Sequence, residues 1–132
     1  MTEEQANVRE YHERFGCTAN DRPTWAGNDE HRVRVVLIEE ELAEFRNAGE
    51  AQDLVEIADA LGDLLYVVYG AAVAYGIDLE PVFDEIHAAN LSKGDPDVAR
   101  RPDGRLLKAA NYRPPQVREV IEAQQGLAVA AS

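Results

Sequence analysis

The stretch from Leu54 to Ile77 constrains the fold most, because it is long, almost wholly apolar and interrupted by only three charged residues. All three are acids, and their i, i+3, i+7 spacing places them within about 60° of arc on an α-helix. A helix that is apolar nearly all round is typical of a buried element, so the sequence predicts acids that are at least partly buried. Isolated buried carboxylates are unfavourable unless they are paired, protonated or bound to a metal. The three acids are Glu56, Asp59 and Asp63.

A second group of acids lies in the segment "VLIEEELAEF" (residues 36–45), one helix earlier in the chain. Wound as a helix, this segment has an apolar stripe that passes through Val35, Ile38, Leu42 and Phe45. The turn to the next helix is short, so we expect the two acidic faces to meet. Three glutamates line one edge of the apolar stripe: Glu40, Glu41 and Glu44.

The rest of the chain predicts an all-α fold, an antiparallel bundle of four to five helices within a single domain. No segment alternates polar and apolar residues for long enough to indicate a strand. The domain is predicted to span residues 1–132, with a core of about 11–118 and a C-terminal extension over 119–132. Loops are predicted over 15–29 and 94–115, the second with an Asp-Gly turn, and "GLAVAAS" at the end is expected to fray. The predicted helices cover 2–14, about 29–48 with Asn28 or Asp29 as a candidate cap, about 51–75 with its end at Gly76, a segment capped by Asp78 that ends near Lys93–Gly94, and 116–125.

The acidic residues of the two central helices predict a site for a divalent cation. The arginines nearby in sequence, Arg32, Arg34 and Arg46, offset the carboxylates only in part. Every candidate ligand is a carboxylate oxygen, and hard oxygen ligands suit Mg²⁺, with Mn²⁺ as a substitute, better than Zn²⁺. A Mg²⁺ site of this kind keeps waters and takes further oxygens from a substrate phosphate.

The bulk composition narrows the possible partners and compartment. A formal net charge of −12 disfavours a nucleic-acid partner, which needs a basic face. The longest apolar run without charge, Leu64–Ile77, is shorter than a membrane span, so no membrane partner is expected. The polar, acidic N-terminus does not resemble a signal peptide, and the lone Cys17 fits a reducing compartment. We therefore expect a cytoplasmic protein.

The motifs "EELAE" (40–44) and "EIAD" (56–59) resemble the EExxE…ExxD signature of the all-α nucleoside triphosphate pyrophosphohydrolases. That superfamily includes MazG, dimeric dUTPases and phosphoribosyl-ATP pyrophosphohydrolase. The segments "IADALGDLLYVVYG" (57–70), "IHAANLSKG" (86–94) and "PDGRLLKAANYRPP" (102–115) are similar to a MazG-like branch that includes a dUTP-preferring bacterial enzyme. The resemblance covers roughly residues 11–118, with a spacer between the acidic motifs at the short end for the superfamily.

The resemblance implies helical protomers that form a homodimer or a dimer of dimers, with sites near the subunit interface. It implies hydrolysis of a nucleoside triphosphate between the α and β phosphates, which yields a monophosphate and pyrophosphate. By similarity, Mg²⁺ is held by Glu41, Glu44, Glu56 and Asp59, with Asp63 as a ligand or a residue behind the ligands. Glu40 is the implied general base or a ligand to a further metal. Candidate substrate-binding residues are Asn90, Lys93, Lys108, Tyr112, Arg113 and Arg22.

Three alternatives remain open at the level of the sequence. The preferred substrate is dUTP or another non-standard (d)NTP, whose removal would cleanse the nucleotide pool. Within the same enzyme class, the chain could instead hydrolyse phosphoribosyl-ATP in histidine biosynthesis. From a different class, it could be a metal-stabilised helical adaptor without turnover, and such an adaptor should tolerate Glu40→Gln.

Overall fold

The computed structural model describes residues 1–93, 100–105 and 112–131, with side chains described through residue 126. All regular elements in these ranges are α-helices, so the predicted all-α class is confirmed. Helix α3 is central, since both α1 and α2 pack on it, whereas α4 packs mainly with α5. The helices are α1 (Glu3–Phe15), α2 (Asn28–Glu50), α3 (Leu54–Tyr75), α4 (Leu79–Leu91) and α5 (Val117–Ala131).

The helix ends follow local capping chemistry. Thr2 caps α1, Asp53 caps α3 and Asp78 caps α4, each by accepting a backbone N–H of the first turn with its side-chain oxygen. Gly16 and Gly76 end α1 and α3 in the left-handed conformation. The prediction that Asp78 caps the fourth helix and that Gly76 ends the third is therefore confirmed.

Two predicted helix ends are wrong. Helix α2 begins at Asn28, with Gly27 as its N-cap residue and no side-chain cap, whereas Asn28 or Asp29 was expected to cap it. Asp29 lies in the first turn instead, where its carboxylate pairs with Arg32 at 3.0 Å. At the other end of the chain, α5 extends from Val117 to Ala131, beyond the predicted end at residue 125.

The connection between α3 and α4 is held from both sides by glutamine side chains. Gln5 of α1 is 1% exposed, donates to the Ile77 carbonyl at 2.7 Å and accepts the Leu79 N–H at 3.0 Å. Gln124 of α5 accepts the Asp78 N–H at 3.0 Å and donates to the Asp78 carbonyl at 2.9 Å. The first and last helices are thus tied to the same short backbone segment.

The interior of the described protomer is built from small side chains, and many of the larger apolar residues stay exposed. Leu54 and Val55 are 79% and 76% exposed, and Leu65 on the same helix is 51% exposed. The prediction that α3 is buried nearly all round is therefore wrong for one protomer, because α1 and α2 cover only part of its circumference. The buried apolar residues are Val8, Ala48, Ala60, Ala72, Val73, Ala74, Val82 and Ala89.

Helix α3 is also long and apolar enough to cross a membrane, by length and composition alone. The sequence-based expectation considered only the shorter charge-free run that starts at Leu64. A central helix of a globular protein passes the same test of length and hydropathy. The N-terminal half of α3 carries Glu56, Asp59 and Asp63 on one face, a placement that is costly in a bilayer.

Candidate metal centre

The acidic residues are placed by an antiparallel helix pair, α2 and α3, joined by a three-residue turn. The Asp53 N–H donates to the Ala48 carbonyl at 3.2 Å, and Gln52 closes the turn in the left-handed conformation, with φ +53°. Asp53 then starts α3 by accepting the N–H groups of Val55 and Glu56. The turn fixes which residues of the two helices face each other.

The register of this pair can be read from two contacts. At Gly70 of α3, an added Cβ would lie 3.0 Å from Nη1 of Arg34 of α2. Seven residues further along α2 and seven back along α3, Glu41 faces Asp63. Because seven residues are close to two helical turns, the two contacts lie on one continuous seam. The sequence prediction that the two acidic faces meet is confirmed for Glu41 and Asp63.

Three carboxylates converge at this point of the seam. One oxygen from each of Glu41, Glu44 and Asp63 can be chosen so that all three lie within 4.8 Å of one another. Glu41 is half-buried, whereas Glu44 and Asp63 are exposed. Oxygens at this separation are close enough to bind a common cation. We call these three residues the acidic cluster.

The Glu41 carboxylate lies in an unfavourable environment. Its Oε2 atom is buried without a hydrogen-bond partner among the described residues. Burial raises the pKa of the Glu41 carboxyl above its ordinary value, and the negative charges of Glu44 and Asp63 raise it further. A buried carboxylate oxygen that has acidic neighbours and no donor within the described ranges would be stabilised by a bound cation.

The acidic cluster fits Mg²⁺ by its chemistry. All of its donors are carboxylate oxygens, which are the hard ligands that Mg²⁺ and Mn²⁺ prefer. A cation would satisfy Oε2 of Glu41, which no residue in the described part of the chain satisfies. Two of the three carboxylates face solvent, which leaves room for ligands from outside the protein.

Glu56 and Asp59 lie beside the acidic cluster rather than in it. Glu56 shares with Glu44 the lining of a cavity of about 330 Å³ next to the α2–α3 turn. Asp59 is in register with Asp63 on the same face of α3, one turn away. Glu56, Asp59 and Asp63 are all exposed, so the predicted burial of these acids is wrong for the protomer. Their predicted roles as metal ligands stay predictions.

Glu40 is exposed and precedes the cluster residue Glu41 on α2. Its charge makes the smallest contribution to the raised pKa of the Glu41 carboxyl, after burial and the charges of Glu44 and Asp63. Glu40 thus acts electrostatically on the cluster without being one of its three converging carboxylates. Its predicted role as general base stays a prediction.

The predicted phosphate-binding residues are spread over several places. Arg113 pairs with Glu85 of α4 at 2.8 Å, and its N–H donates to Ser92 Oγ at 3.0 Å. The Arg22 carbonyl lies against Gly76, at the end of α3 that is about 20 Å from Asp63. The structure therefore does not bring Arg22 to the acidic cluster within one protomer.

The remaining residues of this group lie near the end of α4 and beyond it. Asn90 is exposed in the last turn of α4, and its carbonyl accepts the N–H of the half-buried Lys93 at 3.2 Å. Tyr112 is half-buried. Lys108 lies outside the described residues. The predicted Asp-Gly turn is present at Asp103 and Gly104, where the Gly104 N–H donates to the Arg101 carbonyl at 2.9 Å.

Sequence reasoning missed a buried polar network at the Arg34 end of the same seam. Arg34 Nε donates to Glu30 Oε1 at 2.8 Å, and Thr18 Oγ1 donates to Glu30 Oε2 at 3.1 Å. His12, 3% exposed, bonds through Nδ1 to the Thr18 carbonyl at 2.7 Å. The i, i+4 spacing of Glu30 and Arg34 was a visible signal for their pair, but the sequence does not show that His12 reaches it.

The comparisons with known proteins agree with this arrangement. The family described as Phosphoribosyl-ATP pyrophosphohydrolase matches residues 8–90, which is more than half of the chain and includes all the acids of α2 and α3 discussed above. An uncharacterized protein of Acanthamoeba polyphaga mimivirus is 40% identical over 77 residues, 55% of this chain. The match spans only 31% of the length of that viral relative.

Proposed function

This chain belongs to the phosphoribosyl-ATP pyrophosphohydrolase family, and on that premise we propose that it hydrolyses a nucleotide between the α and β phosphates with the help of Mg²⁺. The family is one of the relatives that the paired acidic motifs indicated, so the predicted superfamily is confirmed. Membership of this family supports a pyrophosphohydrolase activity on a nucleotide-like substrate. The observation that carries the proposal of a cation is the buried Oε2 of Glu41 in the acidic cluster, which has no hydrogen-bond partner in the described part of the chain.

In this proposal the chain's residues divide into two groups. Glu41, Glu44 and Asp63 hold the cation, and Glu56 and Asp59 extend the acidic face toward the α2–α3 turn. When bound, Mg²⁺ supplies the positive charge that neutralises the phosphate oxygens. Mn²⁺ would substitute, because it accepts the same oxygen ligands.

The reaction itself is a displacement at phosphorus. A water oxygen forms a bond to the α-phosphorus in line with the bridging oxygen, that P–O bond breaks, and pyrophosphate leaves. Glu40, exposed beside the cluster, takes the proton of the attacking water as the general base. The products are a nucleoside monophosphate and pyrophosphate.

The substrate proposal has two members. The first is a (d)NTP, with dUTP or another non-standard nucleotide preferred, as the similarity to the MazG-like branch indicates. The second is phosphoribosyl-ATP, which the description of the matching family names. Both carry the same α–β phosphoanhydride, so the acidic cluster serves either. The cations that would bind the phosphates are Lys93, Lys108, Arg113 and Arg22, with Asn90 and Tyr112 as neutral partners.

We further propose that the protein works as a homodimer or a dimer of dimers. Leu65 and Val68 of α3 and Leu79 and Phe83 at the start of α4 line an apolar cavity of about 480 Å³. Phe83 is 67% exposed, and an apolar surface of this kind favours burial against a partner. A second copy of the chain is the proposed partner. Light scattering should show an oligomer for the wild type and a monomer for Phe83→Glu, with the α2 variant Val36→Glu as a control.

A substrate panel tests the proposed activity. Pyrophosphate release would be measured with Mg²⁺ for NTPs, dNTPs including dUTP, and phosphoribosyl-ATP. We expect turnover of one of these, loss of turnover with a chelator, and recovery when Mg²⁺ or Mn²⁺ is added in excess. Glu56→Gln and Glu40→Gln should both lose turnover, while Glu39→Gln, on the other flank of α2, should not.

The panel also separates the enzyme from the adaptor. A folded wild-type protein that binds Mn²⁺ but turns over no nucleotide of the panel would contradict the enzymatic proposal. An adaptor would also keep its metal affinity in Glu40→Gln without any activity to lose. Turnover of phosphoribosyl-ATP alone would assign the second substrate.

A further inference from the structure

The seam between α2 and α3 has a second contact, two turns away from the acidic cluster. At this contact the guanidinium of Arg34 lies against Gly70, whereas at the cluster Glu41 faces Asp63. Both steps along the helices are seven residues, so the two contacts project from the same faces of α2 and α3. Because a helix is stiff over two turns, about 10 Å, the spacing at one contact constrains the spacing at the other.

Arg34 is held firmly in place. Its side chain is 11% exposed, and its ion pair with Glu30, whose side chain is 17% exposed, has an N–O distance of 2.8 Å. Thr18 binds the second oxygen of Glu30, and His12 binds the carbonyl of Thr18. Breaking such a buried pair would leave an uncompensated charge, so the guanidinium has little freedom to move.

Gly70 provides the room that this guanidinium occupies. A Cβ at position 70 would lie 3.0 Å from Arg34 Nη1 and 3.2 Å from His12 Nε2. Both distances are shorter than ordinary van der Waals contact, so α3 approaches Arg34 as closely as a glycine permits. In contrast, a Cβ at Gly62, earlier on α3, would meet no atom of the described residues within 4 Å.

We propose that the contact of Arg34 with Gly70 is a positioning contact, which sets the separation of α2 and α3 and thereby the spacing of the Glu41 and Asp63 carboxylates for a cation. The inference rests on the proposed function, because it assigns the acidic cluster a cation. Arg34 is not one of the residues of the acidic cluster and lies two helical turns from Glu41. It acts through the rigid helix pair, as residues behind a metal site do when they orient its ligands.

The test is the affinity of the purified full-length protein for Mn²⁺ alone, measured by calorimetry. Gly70→Ala should weaken Mn²⁺ binding by about 10-fold, which is the lower end of the range found when residues that orient metal ligands are changed. Its thermal unfolding midpoint without metal should stay close to the wild-type value, because alanine favours the helix and offsets the tight contact. Gly62→Ala makes the same replacement in open space and should bind Mn²⁺ like the wild type.

Variants at position 34 test whether Gly70→Ala changes the Mn²⁺ affinity through its contact with Arg34. Lysine at position 34 keeps the charge opposite Glu30 but lacks the broad guanidinium, so it leaves space for a methyl group at position 70. Mn²⁺ affinity in Arg34→Lys combined with Gly70→Ala should therefore exceed the value expected if the two single losses were additive. At saturating metal, Gly70→Ala should keep the wild-type KM for the nucleotide.

The outcomes are distinct. Wild-type affinity in a folded Gly70→Ala protein would overturn the positioning contact and leave the proposed function intact. Strictly additive losses in the double variant would also overturn it, since the two residues would then act independently. A wild-type protein that takes up no Mn²⁺ would refute the proposed function, and this inference with it.

Discussion

Glu41 of α2 and Asp63 of α3 place carboxylate oxygens within 4.8 Å of each other across the helix seam. Such proximity is unfavourable when no cation is present, because like charges repel and one buried oxygen of Glu41 has no donor among the residues that the structure describes. The same residues are the ones proposed to hold Mg²⁺. Stability and function therefore make opposite demands on this pair.

Glu41→Gln should separate these two demands. Without metal, the variant should unfold at a higher temperature than the wild type, because the buried negative charge is removed. With Mg²⁺ and substrate, its pyrophosphate release should fall by at least about 100-fold, since a ligand of the cation is lost. Thermal unfolding in a chelator and a pyrophosphate assay measure the two effects. The exposed neighbour Glu39 provides the control, and Glu39→Gln should change neither quantity.

The metal-free protein should show an unusual response to acid. The pKa of Glu41 is raised from its ordinary value of 4.5, first by burial and then by the charges of Glu44 and Asp63. The unfolded chain thus binds fewer protons than the folded protein between 4.5 and the raised value, so stability increases as pH falls through that window. Urea unfolding at a series of pH values in a chelator checks this. Glu41→Gln should weaken the rise, and an identical rise in that variant would contradict the assignment.

Below this window the sign should reverse, because of Glu85. The Gln116 N–H and the Arg113 side chain lower the pKa of the Glu85 carboxyl from 4.5. A lowered pKa contributes stability that is present above 4.5 and is lost as pH falls through the folded value. The protection factors for hydrogen exchange at the start of α5, which correct for the intrinsic pH dependence of amide exchange, should therefore fall in acid. In Glu85→Gln these protection factors should already be lower at neutral pH and should depend less on pH.

Gln5→Ala should destabilise the fold by about 3 kcal/mol, because it leaves the Ile77 carbonyl and the Leu79 N–H without their buried partner. Gln124→Ala removes the same kind of paired hydrogen bonds from the other side of the turn. Gln124 is half-buried, so water can replace its amide and the expected loss is only about 1 kcal/mol. Equilibrium unfolding in urea compares them, and equal losses would contradict the role given to burial.

Gly76→Ala and Gly16→Ala form a second matched pair. Both glycines are helix C-caps with positive φ, +69° and +71°, so alanine costs about 1 kcal/mol at each for the backbone alone. Only at Gly76 would the new Cβ also collide with a neighbour, at 2.3 Å from the Arg22 carbonyl oxygen. We expect a total loss of about 3 to 4 kcal/mol for Gly76→Ala. Similar unfolding free energies for the two variants would show that the 16–27 connection can move away from the new methyl group at position 76 at little cost.

Much of the fold was predictable because the signals are local. Asp78 and Gly76 mark helix ends through their own side chain or backbone, and the sequence places both correctly. The meeting of Glu41 with Asp63 follows from helical periodicity and a short turn. The position of Asp59 outside the acidic cluster was not predictable. The distances between the carboxylates depend on how α2 and α3 are rotated about their axes relative to each other.

The burial of α3 was misjudged for a physical reason. An apolar helix indicates that its surface is buried in the folded protein. The sequence does not show whether the same chain or another chain buries it. In the described protomer, α1 and α2 cover one side and leave Leu65 half exposed. The buried role of His12 was also hidden, since its partner Thr18 lies in an irregular connection whose path no periodic pattern indicates.

The three-residue turn between α2 and α3 also bears on how the protein folds. Glu41 and Asp63 are only 22 positions apart in the chain, with most of the interval already wound into helix. Bringing them together therefore requires closure of a small loop, and such local pairing is fast. We therefore expect Glu41 and Asp63 to come together early in folding, before α4 and α5 dock.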